Sequence, residues 1–347
     1  MIATIFGSSA GLVITGESFI KFSLITMLFV AGLMFYIKKA AKWQILDKPN
    51  ERSSHKTITI RGGGIVYFLA YVLYGVLFID WTSFFDIMLF SGAIVLAVLS
   101  FIDDIKELSA KLRLLIHLLV ILLVIYSIGF VPQFGYGLTI LVFGLSIVMM
   151  NGYNFMDGIN GISFQMTLAA GLSLLYIDQY HFDFINANLL VLISLANLVF
   201  GVFNFRKKAI CFMGDIGSIS LGFIFVSLCL FLGLKMESFS TVLVLLVYFI
   251  DVVSTIIQRL LKKENILKPH RKHLYQLLVN EYKMSHLVVS GIYFLFQVVV
   301  MIVWIGVFDL KLSTIQFVLF LSVAFALYWA IKVILLKKLR NASSSIS

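Results

Sequence analysis

Long apolar runs, each close to the roughly twenty residues needed to cross the hydrocarbon of a bilayer, recur along most of the chain. No other feature limits the fold as strongly. Hydrocarbon offers no water to unpaired backbone groups, so each run has to bond internally, and helices are the elements to expect. The runs predict about eleven helices, with ten admissible, near 18–39, 65–80, 85–102, 114–131, 137–154, 162–178, 186–204, 219–235, 239–261, 287–308 and 313–335. Composition agrees: 61% of residues are apolar and 13% charged, with a mean hydropathy of +1.03. The expected fold class is therefore all-α and polytopic in a membrane. It forms one integral unit over 1–347, with a motif-bearing core at 45–280 and C-terminal helices and a basic tail at 281–347. Pro49, Pro132 and Pro269 all fall outside the proposed spans. The first residues lack a basic segment, so no cleavable leader is expected. Cys211 and Cys229 supply no disulfide framework and read as packing residues.

A net charge of +10 could point to nucleic acid, but its placement argues for topology. Put the loops after predicted helices 1, 3, 5, 7 and 9 on one side, together with the C-terminal tail. That side then holds every Lys and Arg except Lys21, Lys235 and Lys311. The opposite loops carry Asp80, Asp178, Asp183 and Asp309. Positive charge marks the cytoplasmic side, so the N-terminus is expected outside, the C-terminus inside and the polar loops in the cytoplasm. No nucleic-acid partner is expected; the lipid bilayer is. Nearly all Asp, Asn, His and Gly clusters share the cytoplasmic side, which suggests a site at the membrane surface rather than a path through it.

Loop one reads Asp47-Lys48-Pro49-Asn50-Glu51-Arg52-Ser53-Ser54-His55-Lys56, then Arg61-Gly62-Gly63-Gly64. Cationic side chains and backbone amides freed by glycine suit a diphosphate, although a plain positive-inside loop has the same composition. No Walker-type phosphate loop occurs. Asp103-Asp104 closes the third predicted helix. Two adjacent carboxylates at a membrane boundary are costly unless they meet water or a cation, and on a helix they point about 100° apart. Asn151, Asn154 and Asp157, spaced by three, form one stripe at the end of the fifth predicted helix and run into Gly158-Ile159-Asn160-Gly161. Polar groups at such depth normally face a cavity, with interhelical hydrogen bonding as the plainer account. Phe212-Met213-Gly214-Asp215 precedes the eighth predicted helix, and Asn204 ends the seventh. A carboxylate between glycines suits Mg²⁺, Phe212 could stack on a base, and an N-capping Asp215 is the structural alternative. Loop five holds Pro269-His270-Arg271-Lys272-His273-Leu274-Tyr275-Gln276. Its HxxH lacks further zinc ligands, so donors to anionic oxygen fit better. Asp251, inside the ninth predicted helix, is left between pairing with Arg259 and lining a cavity.

Taken together, these segments resemble the polyprenyl-phosphate N-acetylhexosamine-1-phosphate transferases, from about Asp47 to Gln276, in order and at compatible spacing. Within that superfamily they look most like the branch that initiates surface polysaccharides such as O-antigen. The peptidoglycan translocase is the alternative, but its run of three histidines is absent here. The family often has PTP where Ile58-Thr59-Ile60 stands.

The resemblance implies transfer of an N-acetylhexosamine-1-phosphate from a UDP-sugar to undecaprenyl phosphate in a bacterial inner membrane, with Mg²⁺ as cofactor and Mn²⁺ as a substitute. It implies Asp103, Asp104, Asp157 and Asp215 as catalytic residues, with Asp215 the metal ligand. Lys56, Asn151, Asn154, Asn160, Asn204, Phe212, His270, Arg271 and His273 would contact substrate, and a homodimer is allowed. The rival from another class is a secondary transporter, which would place ionisable groups at the bilayer midplane. Asp251 is the clear deep acid here.

Overall fold

The computed structural model describes residues 16–49, 54, 57–266, 268 and 270–344. The predicted spans all appear as helices. They are α1 (Gly16–Lys42), α2 (Ile65–Leu77), α3 (Phe84–Ile105), α4 (Ala110–Ser127), α5 (Phe130–Met156), α6 (Ile162–Tyr180), α7 (Asn188–Asn204), α8 (Asp215–Met236) and α9 (Leu246–Leu261), the last entered through a 3-10 turn over Phe239–Leu245. A short α10 (Leu274–Asn280) follows, then α11 (His286–Ile302), continued by a π turn, and α12 (Thr314–Ser344). Among the described residues, eight helices are long and apolar enough to cross a membrane, and α2 and α7 are shorter apolar helices. The chain is an all-α, multi-pass membrane protein.

Local chemistry explains several boundaries. The side chains of Ser83, Ser109 and Ser285 accept from the amides of Asp86, Leu112 and Val288, satisfying donors that the starts of α3, α4 and α11 would otherwise leave open. The fifth helix starts at Phe130 rather than 137, so Pro132 lies inside it, in the first turn, where its missing N–H costs nothing. Gly135 then interrupts the helix with φ 75° and ψ 168°. Residues 269–276, read as loop, include the first turn of α10.

The buried core centres on α8, which packs against α3 and α5. Its inner turns carry small side chains, Ser218, Ser220 and Ser227, all fully buried, which allow close helix approach where lipid gives no hydrophobic drive. Elsewhere buried polar groups tie helices together. Tyr67 of α2 donates to Asn197 of α7 at 2.8 Å, and Asn197 donates to the Phe164 carbonyl of α6 at 3.0 Å.

The described ends of loop one are tied to the fold. Strands β1 (Leu46–Asp47) and β2 (Thr59–Ile60) pair antiparallel, and Ile60 bridges to Cys211. The five loops expected on one side meet at one end of the bundle, through contacts described below.

Candidate active site

The floor of the site is a backbone junction. The amides of Gly63 and Gly64 donate to the carbonyls of Phe212 and Met213, each at 2.8 Å, and the Phe212 amide donates to the Ile60 carbonyl at 2.8 Å. These glycine amides are therefore spent on fold contacts rather than left open to a diphosphate, as the sequence suggested. What the glycines supply is proximity: a Cβ on Gly64 would lie 2.4 Å from the Gly217 Cα.

Gly214 caps the start of α8 at φ 74°, and a Cβ there would meet the Asp104 carboxylate at 2.6 Å. Asp104, its side chain fully buried, accepts from the amides of Asp215 and Ile216 at 3.2 and 3.3 Å. Thus the end of α3 caps the start of α8, a helix terminus that favours a carboxylate. Arg61 completes the arrangement, with Nε 2.7 Å from Asp104 and Nη2 2.8 Å from Asp215. Burial opposes the Arg61 charge, but Asp215 and then Asp104 outweigh it and hold its pKa above the ordinary guanidinium range. Asp103 points elsewhere: it accepts from Arg113 at 2.6 Å and from the Leu108 amide at 2.7 Å. Arg113 also stands 3.8 Å from the second Asp215 oxygen.

Above this junction opens a cavity of about 320 Å³, lined by Asp47, Ser54, Arg61, Asn154, Asp157, Asn160, Asn204, Phe212, Asp215, Gln276 and His286, with intervening backbone. Asn154 accepts from Ser218 at 2.8 Å. Asn204 accepts from the Gly161 amide at 2.8 Å and donates to the Cys211 carbonyl at 3.0 Å, joining two motifs. Asn160 donates to the Arg206 carbonyl at 2.8 Å, and its amide faces His286 Nδ1 at 3.3 Å. His286 Nε2 in turn reaches the Ser54 carbonyl at 3.1 Å, so the imidazole links loop one to the Asn160 turn. Burial in the wall, with Asp215 adding to it, pushes the Asp157 carboxyl up to about 7.

Of the residues singled out in the sequence, Asn154, Asp157, Asn160, Asn204, Phe212 and Asp215 line this cavity, and Asp104 braces it from behind. Asn151 turns back to its own helix, donating to the Ile147 carbonyl at 2.8 Å. His270, Arg271 and His273 are outside the lining. Burial and the neighbouring His273 and Arg259 push the His270 imidazole down to about 4, so it is neutral near pH 7. His273 is buried, with Nδ1 2.9 Å from Asp251. Lys56 lies outside the described residues.

Arg61 stood in the sequence beside the triple glycine, a signal for its place. Gln276 ended the loop-five motif read from the sequence, whereas His286 carried no signal, because it lies outside every charged cluster.

The donor set fits a divalent cation. Asp47, Asp157 and Asp215 face the cavity, and Arg61, already paired twice, is the Lys or Arg among the described lining residues. A diphosphate would meet excess negative charge there. Mg²⁺ takes one or two carboxylates and fills its shell with phosphate oxygens and water, so a cluster of three acidic or histidine ligands is not required.

These loops gather around one polar cavity at one end of a membrane bundle, and comparison with known proteins gives the protein's class. Residues 87–233 match the model of glycosyl transferase family 4. A probable undecaprenyl-phosphate N-acetylglucosaminyl 1-phosphate transferase of Bacillus subtilis (strain 168) is 29% identical over 82% of this chain and 86% of that protein. The undecaprenyl-phosphate alpha-N-acetylglucosaminyl 1-phosphate transferase of Salmonella typhi is 30% identical over 73% of this chain and 74% of its own length. Its counterpart in Thermotoga maritima is 25% identical over 68% and 73%. The chain belongs to the glycosyl transferase family 4 group of polyprenyl-phosphate hexosamine-1-phosphate transferases. It is a membrane glycosyltransferase of that family.

Proposed function

We propose that the protein transfers an N-acetylhexosamine-1-phosphate from a UDP-sugar to undecaprenyl phosphate, releasing UMP, as the first lipid-linked step of a surface polysaccharide. One observation carries the reading: loop one, the Asn154–Asn160 turn and the Phe212–Asp215 turn converge on one cavity, with the carboxylates of the α3 end behind it. The names of the relatives make UDP-N-acetylglucosamine the first donor to expect. The positive-inside charge pattern supports a cytoplasmic orientation for this face in a bacterial inner membrane.

In the reaction, an oxygen of the lipid phosphate attacks the sugar-bearing phosphorus, and the bond from that phosphorus to the bridging oxygen breaks as UMP leaves. A phosphate monoester is largely dianionic at neutral pH, so the attacking group needs positioning more than deprotonation. Mg²⁺, when bound, would offset repulsion between the two anions. Asp215 would hold it, with Asp157 and Asn154 beside it on the wall. Phe212 would stack on the uracil, Asn204 and Asn160 would keep the glycine turns in shape, and Arg61 and Arg113 would face phosphate. Asp103 and Asp104 would fix these two arginines.

The test uses purified protein, undecaprenyl phosphate, Mg²⁺ and a panel of labelled UDP-N-acetylhexosamines. The reading expects chloroform-extractable label and stoichiometric UMP that depend on both substrates. Sugar entry into vesicles without UMP release would replace it with transport.

A further inference from the structure

Asp251 sits in the middle of α9, fully buried, where a lone carboxylate is expensive and marks function by default. The pairing with Arg259 offered by the sequence is absent: Arg259 donates to the carbonyls of Asn265, Ile266 and Lys268 instead. Asp251 meets five donors, from the start of α10, from α11, from α12 and from its own helix. His273 Nδ1 lies at 2.9 Å, the Leu274 amide at 3.2 Å, the Tyr293 hydroxyl at 2.5 Å, the Tyr328 hydroxyl at 3.0 Å and the Thr255 hydroxyl at 3.3 Å.

Besides His273, which pairs with the carboxylate directly, a lysine of the last helix reaches it through two hydroxyls. Lys332, buried in α12, donates to the hydroxyl oxygens of Tyr328 at 3.1 Å and Thr255 at 3.2 Å. Those two hydroxyls donate their own protons to Asp251, so the bonds from Lys332 through them to the carboxylate run in one direction. The relay's other end is α10. Asp251 holds its first amide and its capping His273, whose backbone amide also donates to the Gln276 side chain. Gln276 lines the cavity, and the neighbouring Tyr275 hydroxyl donates at 2.9 Å to the Phe155 carbonyl, two positions before Asp157.

A seven-residue helix cannot hold itself in place. Its bearing on the cavity is set from outside, at both ends of this chain of contacts. We propose that Asp251 is a positioning residue: fixed by Lys332 and Tyr328 of α12, it sets α10 and so places Gln276 against the sugar nucleotide. This rests on the transfer reading of the cavity.

The test compares full-length Lys332→Met and Tyr328→Phe with the parent protein. Steady-state kinetics gives KM separately for UDP-N-acetylglucosamine and undecaprenyl phosphate, and amide hydrogen exchange follows residues 274–280. The expected result is a KM for the nucleotide sugar raised by about tenfold, an unchanged KM for the lipid phosphate and faster exchange in α10. Tyr328→Phe removes one hydroxyl and keeps the assay open if Lys332→Met does not fold. Loss of thermal stability with both KM values intact would show a purely structural strut and overturn the proposal. So would unaltered exchange in α10, a readout that needs no turnover. Absence of UMP release by the parent protein would instead sink the transfer reading, and the exchange data would still stand.

Discussion

Asp103 and Asp215 are both carboxylates at helix ends, yet their surroundings give them different work. Asp103 is nearly enclosed, with both oxygens taken by Arg113 and the Leu108 amide. Asp215 keeps part of its carboxylate toward the cavity. In a UMP-release assay on purified protein, Asp215→Asn should lose activity by about 10²–10³-fold, and Asp103→Asn by clearly less. Near-normal turnover of Asp215→Asn in Mg²⁺ would remove it from the reaction. Asp157 gives a second prediction, read from pH. Its carboxyl sits at about 7 in the folded protein against an ordinary 3.8. Between those values the folded state keeps a proton that the unfolded chain has released, so stability falls as pH rises through that window. Thermal unfolding in EDTA from pH 5 to pH 8 should show a decline in Tm for the parent protein, flattened in Asp157→Asn.

At the scale of elements, the junction between loop one and the start of α8 is where backbone touches backbone. A methyl at Gly64 would meet the Gly217 Cα at 2.4 Å, the Gly217 amide nitrogen at 2.6 Å and the Met213 carbonyl at 2.8 Å, none of which can rotate away. Gly64→Ala should therefore cost about 1–3 kcal/mol, seen as a lower Tm and reduced activity. Gly144→Ala, with nothing within 4 Å of its added carbon, should leave both unchanged. The helices themselves were legible because apolar runs of spanning length have few alternatives. The Asn154–Gly161 and Phe212–Asp215 turns were legible because glycine, amide and carboxylate are unusual beside such runs. The site's remaining parts were not. Seven residues of α10 are too few to show a period, and His286 takes its meaning from Ser54, far away in sequence. Asp251 announced itself as costly, but a sequence offers near neighbours first, and Tyr328 and Lys332 lie 77 positions from their partners.

For the whole molecule, the proposed chemistry lies at one end of the bundle, and the positive-inside rule predicts that this end faces the cytoplasm. Single cysteines at Thr57, Lys111 or Lys262, in a background lacking Cys211 and Cys229, should react with a membrane-impermeant maleimide only after the cells are opened. Cysteines at Thr82 or Asp309 should react in intact spheroplasts. The reverse pattern would invert the topology and leave the cavity facing away from nucleotide pools.

The junction of Gly64 with Gly217 also bears on how relatives can be recombined. Two stretches far apart in the gene share one surface with no side chain between them to absorb a mismatch. Hybrids that exchange residues 57–64 without residues 211–218 should inherit a poor fit from the crossover itself, whichever donor nucleotide each parent prefers. Hybrids that move both stretches together, or that exchange only the segment from Arg271 to Gln276, leave that surface intact. Recombination among relatives thus has a natural place to cut and a natural place to avoid.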